Sequence, residues 1–191
     1  MKGNTFLYGL CLLIPVLMAS CGDDDIKNAN AVPLQKITLT RDRTLGVDII
    51  YSDSAKVKAK GYAQIMDKVT PSNGGPYQEM IKGVKIDFFN VATGKIDGTL
   101  ICDYAKRLEQ DQKTFFRKNV IVKNNSGDTF SSEELIWDEA KKLFYSTQRV
   151  TVKKITGDII EGIDFQAPQD FSTYKINSAV GQAVLKDGLV P

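Results

Sequence analysis

The sequence contains no histidine and only one tryptophan. The missing histidine excludes a Ser-His catalytic pair and any metal site with a histidine ligand. No glycine-rich phosphate-binding loop occurs either. Spacing alone leaves a glycosidase-type pair of carboxylates open, but the scattered acidic residues are typical of solvated strand faces. We therefore expect a protein that is not an enzyme, with no cofactor and no metal site.

Net charge and cysteine are also scarce. The formal net charge is +2, which gives no basic footprint for nucleic acid, so no nucleic-acid partner is expected. The chain has three cysteines, and Cys11 and Cys21 both lie at its amino end. Only Cys102 remains in the rest of the sequence, so a disulfide within the folded domain is excluded. Stability must come from a hydrophobic core, in which Cys102 is expected as a small buried residue.

The amino terminus has the pattern of an export signal. Lys2 precedes an apolar run over 6–18 that is too short to span a bilayer comfortably. Ala19, Ser20 and Cys21 follow, an arrangement that resembles a lipobox, in which Cys21 carries the acyl chains of a membrane-anchored lipoprotein. A secretory signal cut elsewhere and an uncleaved anchor are the alternatives. We predict a signal peptide over 1–20, a lipidated tether over 21–33 and a folded domain over 34–191.

The remaining sequence alternates with period two instead of following the period of an amphipathic helix. Three of the alternating rows are Val84–Phe88, Ile96–Tyr104 and Ile159–Phe165, each taken at every second residue. Residues 133–142 also fit a helix, but we predict two strands around a turn at 138–141. The pattern as a whole indicates an all-β fold of short antiparallel strands.

A short phrase also repeats along the chain. Gly127-Asp128 and Gly157-Asp158 are 30 residues apart, and the same spacing separates Val120 and Val122 from Val150 and Val152. A period near 30 built only from strands indicates stacked β units, each of which buries its apolar face against its neighbours. Such a stack ends in open strand edges, which must be covered or used.

These repeats carry a family resemblance. The stretch GDTFSSEELIWDEAKKLFYSTQRVTVKKITGDIIEG, residues 127–162, resembles the LptC family, the periplasmic component of the lipopolysaccharide export machine. The matching features are a strand ending in Asp138, then Lys142, an aromatic-Ser pair at 145–146, a Val-rich strand at 150–152, and Gly157 with Gly162. STYKI at 172–176 is similar to the closing strand of the family and YSDSAKVKAKGYA at 51–63 to its opening strands. The resemblance covers most of 45–178.

The resemblance implies an open, boat-shaped antiparallel β-jellyroll whose interior holds the acyl chains of lipopolysaccharide. The protein would accept lipid from inner-membrane ABC transporter subunits and pass it to a soluble jellyroll bridge protein. It would lie in the periplasm, held at a membrane through Cys21, with the inner membrane favoured. Soluble bridge proteins share the repeat, so their role is a rival. The alternative from another class is a surface-exposed β-repeat lipoprotein that binds a protein or a glycan.

The resemblance also indicates site residues. The predicted lipid-binding residues are apolar members of the alternating rows: Phe88, Leu100, Val122, Trp137, Val152, Phe165 and Tyr174. For each of these alone, a dry core position is the competing interpretation. The predicted partner edge is the closing strand, with residues Tyr174, Lys175, Ile176 and Asn177.

Overall fold

The structure is a computed structural model that describes residues 38–182. The described residues all belong to one compact unit of the chain. The predicted signal peptide, tether and lipid anchor at Cys21 lie outside the described residues. Cys102, the one cysteine within the described part of the chain, is buried and unbridged.

Residues 38–182 form ten strands and no helix. The strands are β1 (Leu39–Asp53), β2 (Lys56–Pro71), β3 (Tyr77–Phe89), β4 (Ile96–Leu108), β5 (Lys113–Asn124), β6 (Thr129–Asp138), β7 (Leu143–Ser146), β8 (Val150–Lys153), β9 (Ile159–Pro168) and β10 (Lys175–Gln182). Each pairs antiparallel with its neighbours in one sheet of order β1-β2-β3-β4-β5-β6-β7-β9-β10, and β8 pairs with β6 and β9. The predicted all-β, jellyroll-like fold is confirmed.

The glycines of the repeated phrase sit in hairpin turns. Gly94, Gly127 and Gly157 each have positive φ, between 69° and 98°, a conformation that glycine adopts without steric cost. Gln112 and Lys142, also at positive φ, mark the turns at the other end of the sheet. The period of 30 residues is therefore one strand up, one strand down and the two turns that join them. The turn after Asp138, where a helix was the alternative, separates β6 from β7 as predicted.

A line of backbone irregularities crosses the sheet from edge to edge, and we call it the crease. It runs through residues that interrupt the strand pairing or have positive φ: Gly46, Gln64, Lys82, Gly83, Asp103, Lys118, Asn119, Glu133 and Asp164. Bulges bend the strand that carries them and increase its local twist. Because these lie at matching positions on neighbouring strands, the whole sheet folds along one line.

Beyond the crease, each residue of a strand lies on the opposite face of the sheet from the one that strict alternation predicts. Cys102 and Ala105 both belong to the core, whereas Tyr104 between them reaches Glu79 with its hydroxyl. On β9, Phe165 is fully buried, but Ile163 is 41% exposed. The rows Ile96–Tyr104 and Ile159–Phe165 were predicted as continuous faces, and that part of the prediction is wrong. An extra residue at a bulge shifts the period-two pattern by one position.

The two halves of the folded sheet pack face to face. Phe88, which follows the crease on β3, contacts Phe144 of β7 at 5.5 Å between ring centroids. Phe130 of β6 and Phe165 of β9 meet across the same interior at 5.7 Å. Within the described residues, β1 pairs only with β2 and β10 only with β9, so the sheet has two edges that are not joined to each other.

Candidate functional site

The interior between the two halves is filled by an aromatic cluster. Its members are Phe88, Phe116, Phe130, Trp137, Phe144, Phe165, Phe171 and Tyr174. Phe144 is central: its ring lies 4.7 Å from that of Trp137 and 5.0 Å from that of Phe171. Aromatic pairs at such distances contribute roughly 0.5–1.5 kcal/mol each beyond their buried area. The interior is therefore well packed near Phe144.

The predicted lipid-binding residues share this interior. Five of them belong to the buried core: Phe88, Leu100, Val122, Val152 and Phe165. The other two, Trp137 and Tyr174, are partly buried and pack against that core. The structure thus brings all seven to the inner face of the folded sheet.

An apolar cleft lies beside the cluster, on the side of β1 to β3. Its walls come from both halves of the sheet, with Ile49, Ile86 and Phe88 on one side and Phe116 and Trp137 on the other. The volume of the cleft is about 100 Å³. Binding pockets for drug-sized ligands span roughly 300–1,000 Å³. An acyl chain therefore needs more room than this conformation provides.

The mouth of the cleft is polar. Gln78, Arg107, Glu139 and Gln169 line it together with the apolar residues, and Arg107 donates to Glu139 at 3.2 Å. These four side chains are partly exposed, whereas the phenylalanines behind them are buried. The cleft thus runs from a polar mouth to an apolar floor, the arrangement that suits an amphipathic ligand.

A second, wider cleft adjoins the first, and we call it the outer cleft. Its volume is about 310 Å³, and it contains two cations, Lys58 and Lys142, and two acids, Asp97 and Asp170. Phe88 and Gln169 line both clefts. The two clefts are therefore adjacent, and the side chains of Phe88 and Gln169 lie between them.

Two central interior residues were missed at the level of sequence. Phe144 was not among the predicted interior residues, although its ring contacts Phe88, Phe116, Trp137 and Phe171. Phe171 was not singled out, because it follows β9 in a turn segment where no alternating row exists. The signal available was composition: a phenylalanine between Asp170 and Ser172, in an otherwise polar turn, is an unusual residue to leave in solvent.

The predicted partner edge lies at the end of the sheet. Tyr174 directly precedes β10, and its ring points into the aromatic cluster, 5.5 Å from that of Phe130. Lys175 and Asn177 pair with Gln166 and Ile163 of β9. Lys175, Ile176 and Asn177 thus belong to the terminal strand of the described sheet, while Tyr174 faces the interior.

The two glycines of the closing repeat have different structural roles. Gly157 has φ +98° and forms the turn between β8 and β9, as expected of a turn glycine. At Gly162 the backbones of β9 and β10 lie close together, since a Cβ there would lie 2.6 Å from the carbonyl oxygen of Asn177. Only a residue without a side chain lets β10 lie this close to β9.

A charged network covers the β1 to β3 part of the sheet. Arg43 donates two hydrogen bonds to Asp67, at 2.7 and 2.8 Å, and Arg41 donates to Asp67 and also pairs with Glu79. The hydrogen bonds from Arg43 and Arg41 outweigh burial and hold the pKa of the Asp67 carboxyl well below its usual range. Next to it, burial and the hydrogen bond to Glu79 raise the pKa of Tyr104 to about 12.

A second polar contact joins two hairpin turns near the aromatic cluster. Burial by itself raises the pKa of Asp128, but the hydrogen bonds from Lys154 and from the Ile155 N–H outweigh burial, so the pKa of Asp128 is lowered. The Lys154 ammonium, 2.8 Å from that carboxylate, also lies 5.0 Å from the ring centroid of Tyr174. The turns at 124–128 and 154–158 are thereby tied to the residue before β10.

Across residues 38–182, no group of three or more Cys, Asp or Glu side chains is placed to hold a metal ion. No helix in that same range is long and apolar enough to cross a membrane. Compared with known proteins, the chain matches no protein-family model and no curated protein.

Proposed function

We propose that this protein is a lipopolysaccharide-binding component of an envelope export bridge. It accepts lipid from inner-membrane ABC transporter subunits and passes it to a soluble jellyroll protein. The observation that carries the proposal is the apolar cleft with a polar mouth between the two halves of the folded sheet. The resemblance of residues 45–178 to the LptC family gives that cleft its proposed ligand.

The chemistry of the cleft fits the acyl chains of such a lipid. Burying apolar surface stabilises a complex by about 25 cal/mol per Å², and the floor offers the rings of Phe88, Phe116, Trp137 and Phe144. A charged headgroup cannot enter the apolar part of the cleft without a large desolvation penalty. Arg107 and Glu139 at the mouth give polar groups a place to remain hydrated. The lipid would therefore bind with its chains inward and its sugar outward.

The sheet edges fit the transfer step. An unpaired strand edge offers backbone N–H and C=O groups to another chain, and strand addition uses them directly. In residues 38–182, β1 and β10 each have one neighbour. We assign β10 to the soluble jellyroll partner and the opposite edge to the transporter. Acylation of Cys21 would hold the protein in the periplasm at the membrane, with the inner membrane favoured.

Site-specific photo-crosslinking tests the proposal. A photoreactive phenylalanine at Phe88 or Trp137 in the full-length protein should trap lipopolysaccharide, because both positions line the cleft. The matched control is Asp87, whose side chain accepts a hydrogen bond from Thr99 and does not line the cleft. Folded protein with no lipid adduct at either interior position would refute the proposal. Adducts to a protein or a glycan, formed only from outward positions, would support the alternative of a surface-binding lipoprotein.

A further inference from the structure

The segment between β9 and β10, residues 169–174, behaves unlike an ordinary surface loop, and we call it the cap. Phe171 in its middle is only 1% exposed. Its ring centroid lies 5.0 Å from that of Phe144 and 5.1 Å from that of Phe130. Connecting segments normally run over the surface and leave their side chains in solvent. The cap instead places a phenylalanine in the centre of the core.

Side chains from several strands hold the cap. Gln169 donates to the carbonyl of Lys58 on β2 at 3.2 Å. The buried Asn124 donates to the carbonyl of Phe171 at 3.1 Å, and its own oxygen accepts from the Asp128 N–H. Lys154 lies over the ring of Tyr174. These contacts are separate from the backbone pairing of β9 with its neighbouring strands.

The backbone of the cap is strained at its buried residue. Phe171 has φ +51°, in the left-handed region that large side chains rarely adopt. Such a conformation costs on the order of a few RT and persists only where the surroundings impose it. Here the packing of the ring and the hydrogen bond from Asn124 hold Phe171 in this conformation. Release of Phe171 from the interior would relieve this strain.

The cap contributes to the partition between the two clefts. Gln169 of the cap and Phe88 of β3 line both clefts, and Asp170 of the cap lines the outer cleft. The ring of Phe171 packs on Phe144, which lines the apolar cleft. The volumes of the two clefts are about 100 and 310 Å³, so the apolar cleft reaches the range typical of ligand pockets only when it is joined to the outer cleft.

We propose that the cap is a displaceable plug: Phe171 fills the interior in the empty protein and leaves it when an acyl chain enters. Its departure joins the apolar cleft and the outer cleft into one elongated site. Asp170 moves away with the cap, which leaves Lys58 and Lys142 facing Asp97, so the opened outer cleft favours an anionic headgroup. This inference rests on the proposed function, since it specifies how the proposed lipid gains access to the site.

Trp137 provides the reporter for a test. It is the only tryptophan of the chain, it lines the apolar cleft, and its ring lies 4.7 Å from that of Phe144. Bromine atoms on an acyl chain quench tryptophan fluorescence on contact. The full-length protein in a neutral detergent is mixed with a dibrominated fatty acid, and the rate and extent of quenching are recorded. Hydrogen exchange of the cap amides is measured on the same samples.

Two variants loosen the plug, and one serves as control. Asn124→Ala removes the hydrogen bond to Phe171, and loss of one such bond should raise both cap exchange and the quenching rate roughly fivefold. Phe171→Ala removes the ring itself and should increase the extent of quenching, although the fold becomes less stable. Leu135→Ala truncates another buried core residue, on β6 and outside the cap. It should lower stability while quenching stays at the level of the unmodified protein.

The outcomes separate the two proposals. Quenching that stays unchanged or falls in Asn124→Ala and Phe171→Ala, as in Leu135→Ala, would overturn the plug and make Phe171 an ordinary core residue. Cap amides that exchange no faster in Asn124→Ala than in the unmodified protein would overturn it as well. If Asn124→Ala opens the cap and the brominated fatty acid quenches Trp137 faster, but a photoreactive residue at Phe88 traps no lipopolysaccharide, the proposed function fails while the plug stands.

Discussion

Asp67 is a carboxylate with no solvent exposure, and its neighbours explain how the fold tolerates it. Arg43 lies directly opposite it on β1 and Glu79 directly opposite on β3. Arg41 bridges the two acids. A carboxylate removed from water is stable only when it is paired and hydrogen-bonded, and both conditions hold here. The residue therefore fastens the long edge strand β1 to the rest of the sheet.

The first prediction concerns the pH dependence of this contact. The pKa of Asp67 is lowered in the folded protein, so its contribution is present above the unfolded pKa of about 3.9 and is lost as pH falls through the folded value. Asp67→Asn should lower the urea midpoint at pH 7, and the deficit should shrink steadily below about pH 4. Urea unfolding curves of both proteins across this pH range measure the deficit. A deficit independent of pH would show that the charge of Asp67 is irrelevant.

At the scale of elements, the crease decides how the sheet encloses its interior. Long strands such as β2 and β3 cross it, so one strand contributes to both halves of the sandwich. Lys118 and Asn119 on β5, both at positive φ, occupy the same line as Lys82 and Gly83 on β3. The fold thereby obtains two facing layers from one continuous sheet.

The second prediction tests the close approach of β10 to β9. Gly162→Ala would place a Cβ 2.6 Å from the Asn177 carbonyl oxygen and 2.7 Å from Cγ1 of Ile176, so β10 must shift. We expect a loss of about 1–3 kcal/mol in unfolding free energy and faster hydrogen exchange in β10. Gly61→Ala is the control, since its Cβ would meet nothing closer than 3.4 Å. Unchanged exchange in β10 of the Gly162 variant would contradict the prediction.

The third prediction concerns β10 as the proposed partner edge. A chain that ends at Tyr174 lacks β10 but keeps the ring that packs in the aromatic cluster. It should lose most of its binding to the soluble jellyroll protein in a pull-down, because strand addition depends on backbone groups of the edge strand. A chain that ends at Gln182 keeps β10 and should bind normally. Equal capture of both truncated chains would assign the partner to another surface.

At the scale of the whole molecule, the folded sheet has a core that is continuous but unevenly filled. The side near β6 to β9 is packed by Phe130, Phe165 and Phe171, while the side near β1 to β3 keeps the apolar cleft. Burial raises the pKa of the Cys102 thiol to about 11, so this residue behaves as a small core side chain. The described sheet is therefore closely packed where the repeat units stack and open where the first strands meet the cap.

The fourth prediction concerns the proposed lipid anchor at Cys21. Cys21 follows the apolar run and the small residues Ala19 and Ser20, so it is the expected site of acylation. Cys21→Ala should abolish lipid incorporation and move the protein from the membrane fraction to the soluble periplasmic fraction. Fractionation and mass measurement of the mature protein check this. Membrane retention with an unchanged mass would refute the lipoprotein assignment.

The sequence by itself determined the fold class and most of the strands. Alternation of apolar residues reports which side chains can be buried together, and the glycines at 94, 127 and 157 mark turns that need positive φ. The spacing of Gly127 and Gly157 also revealed the repeating hairpin. These properties are local, because the backbone period and the sterics of one residue decide them.

Tertiary structure alone decided the rest. A bulge is invisible in a pattern of apolar residues, so the outward position of Tyr104 and Ile163 followed only from the crease. Whether Phe171 is exposed or central depends on Asn124, 47 residues away, and on rings from three strands. Long-range contacts of this kind have no local signature, since each requires the chain to return to the same place. The sequence therefore determined which residues are apolar, and the folded sheet decided which of them enclose a cleft and which close it.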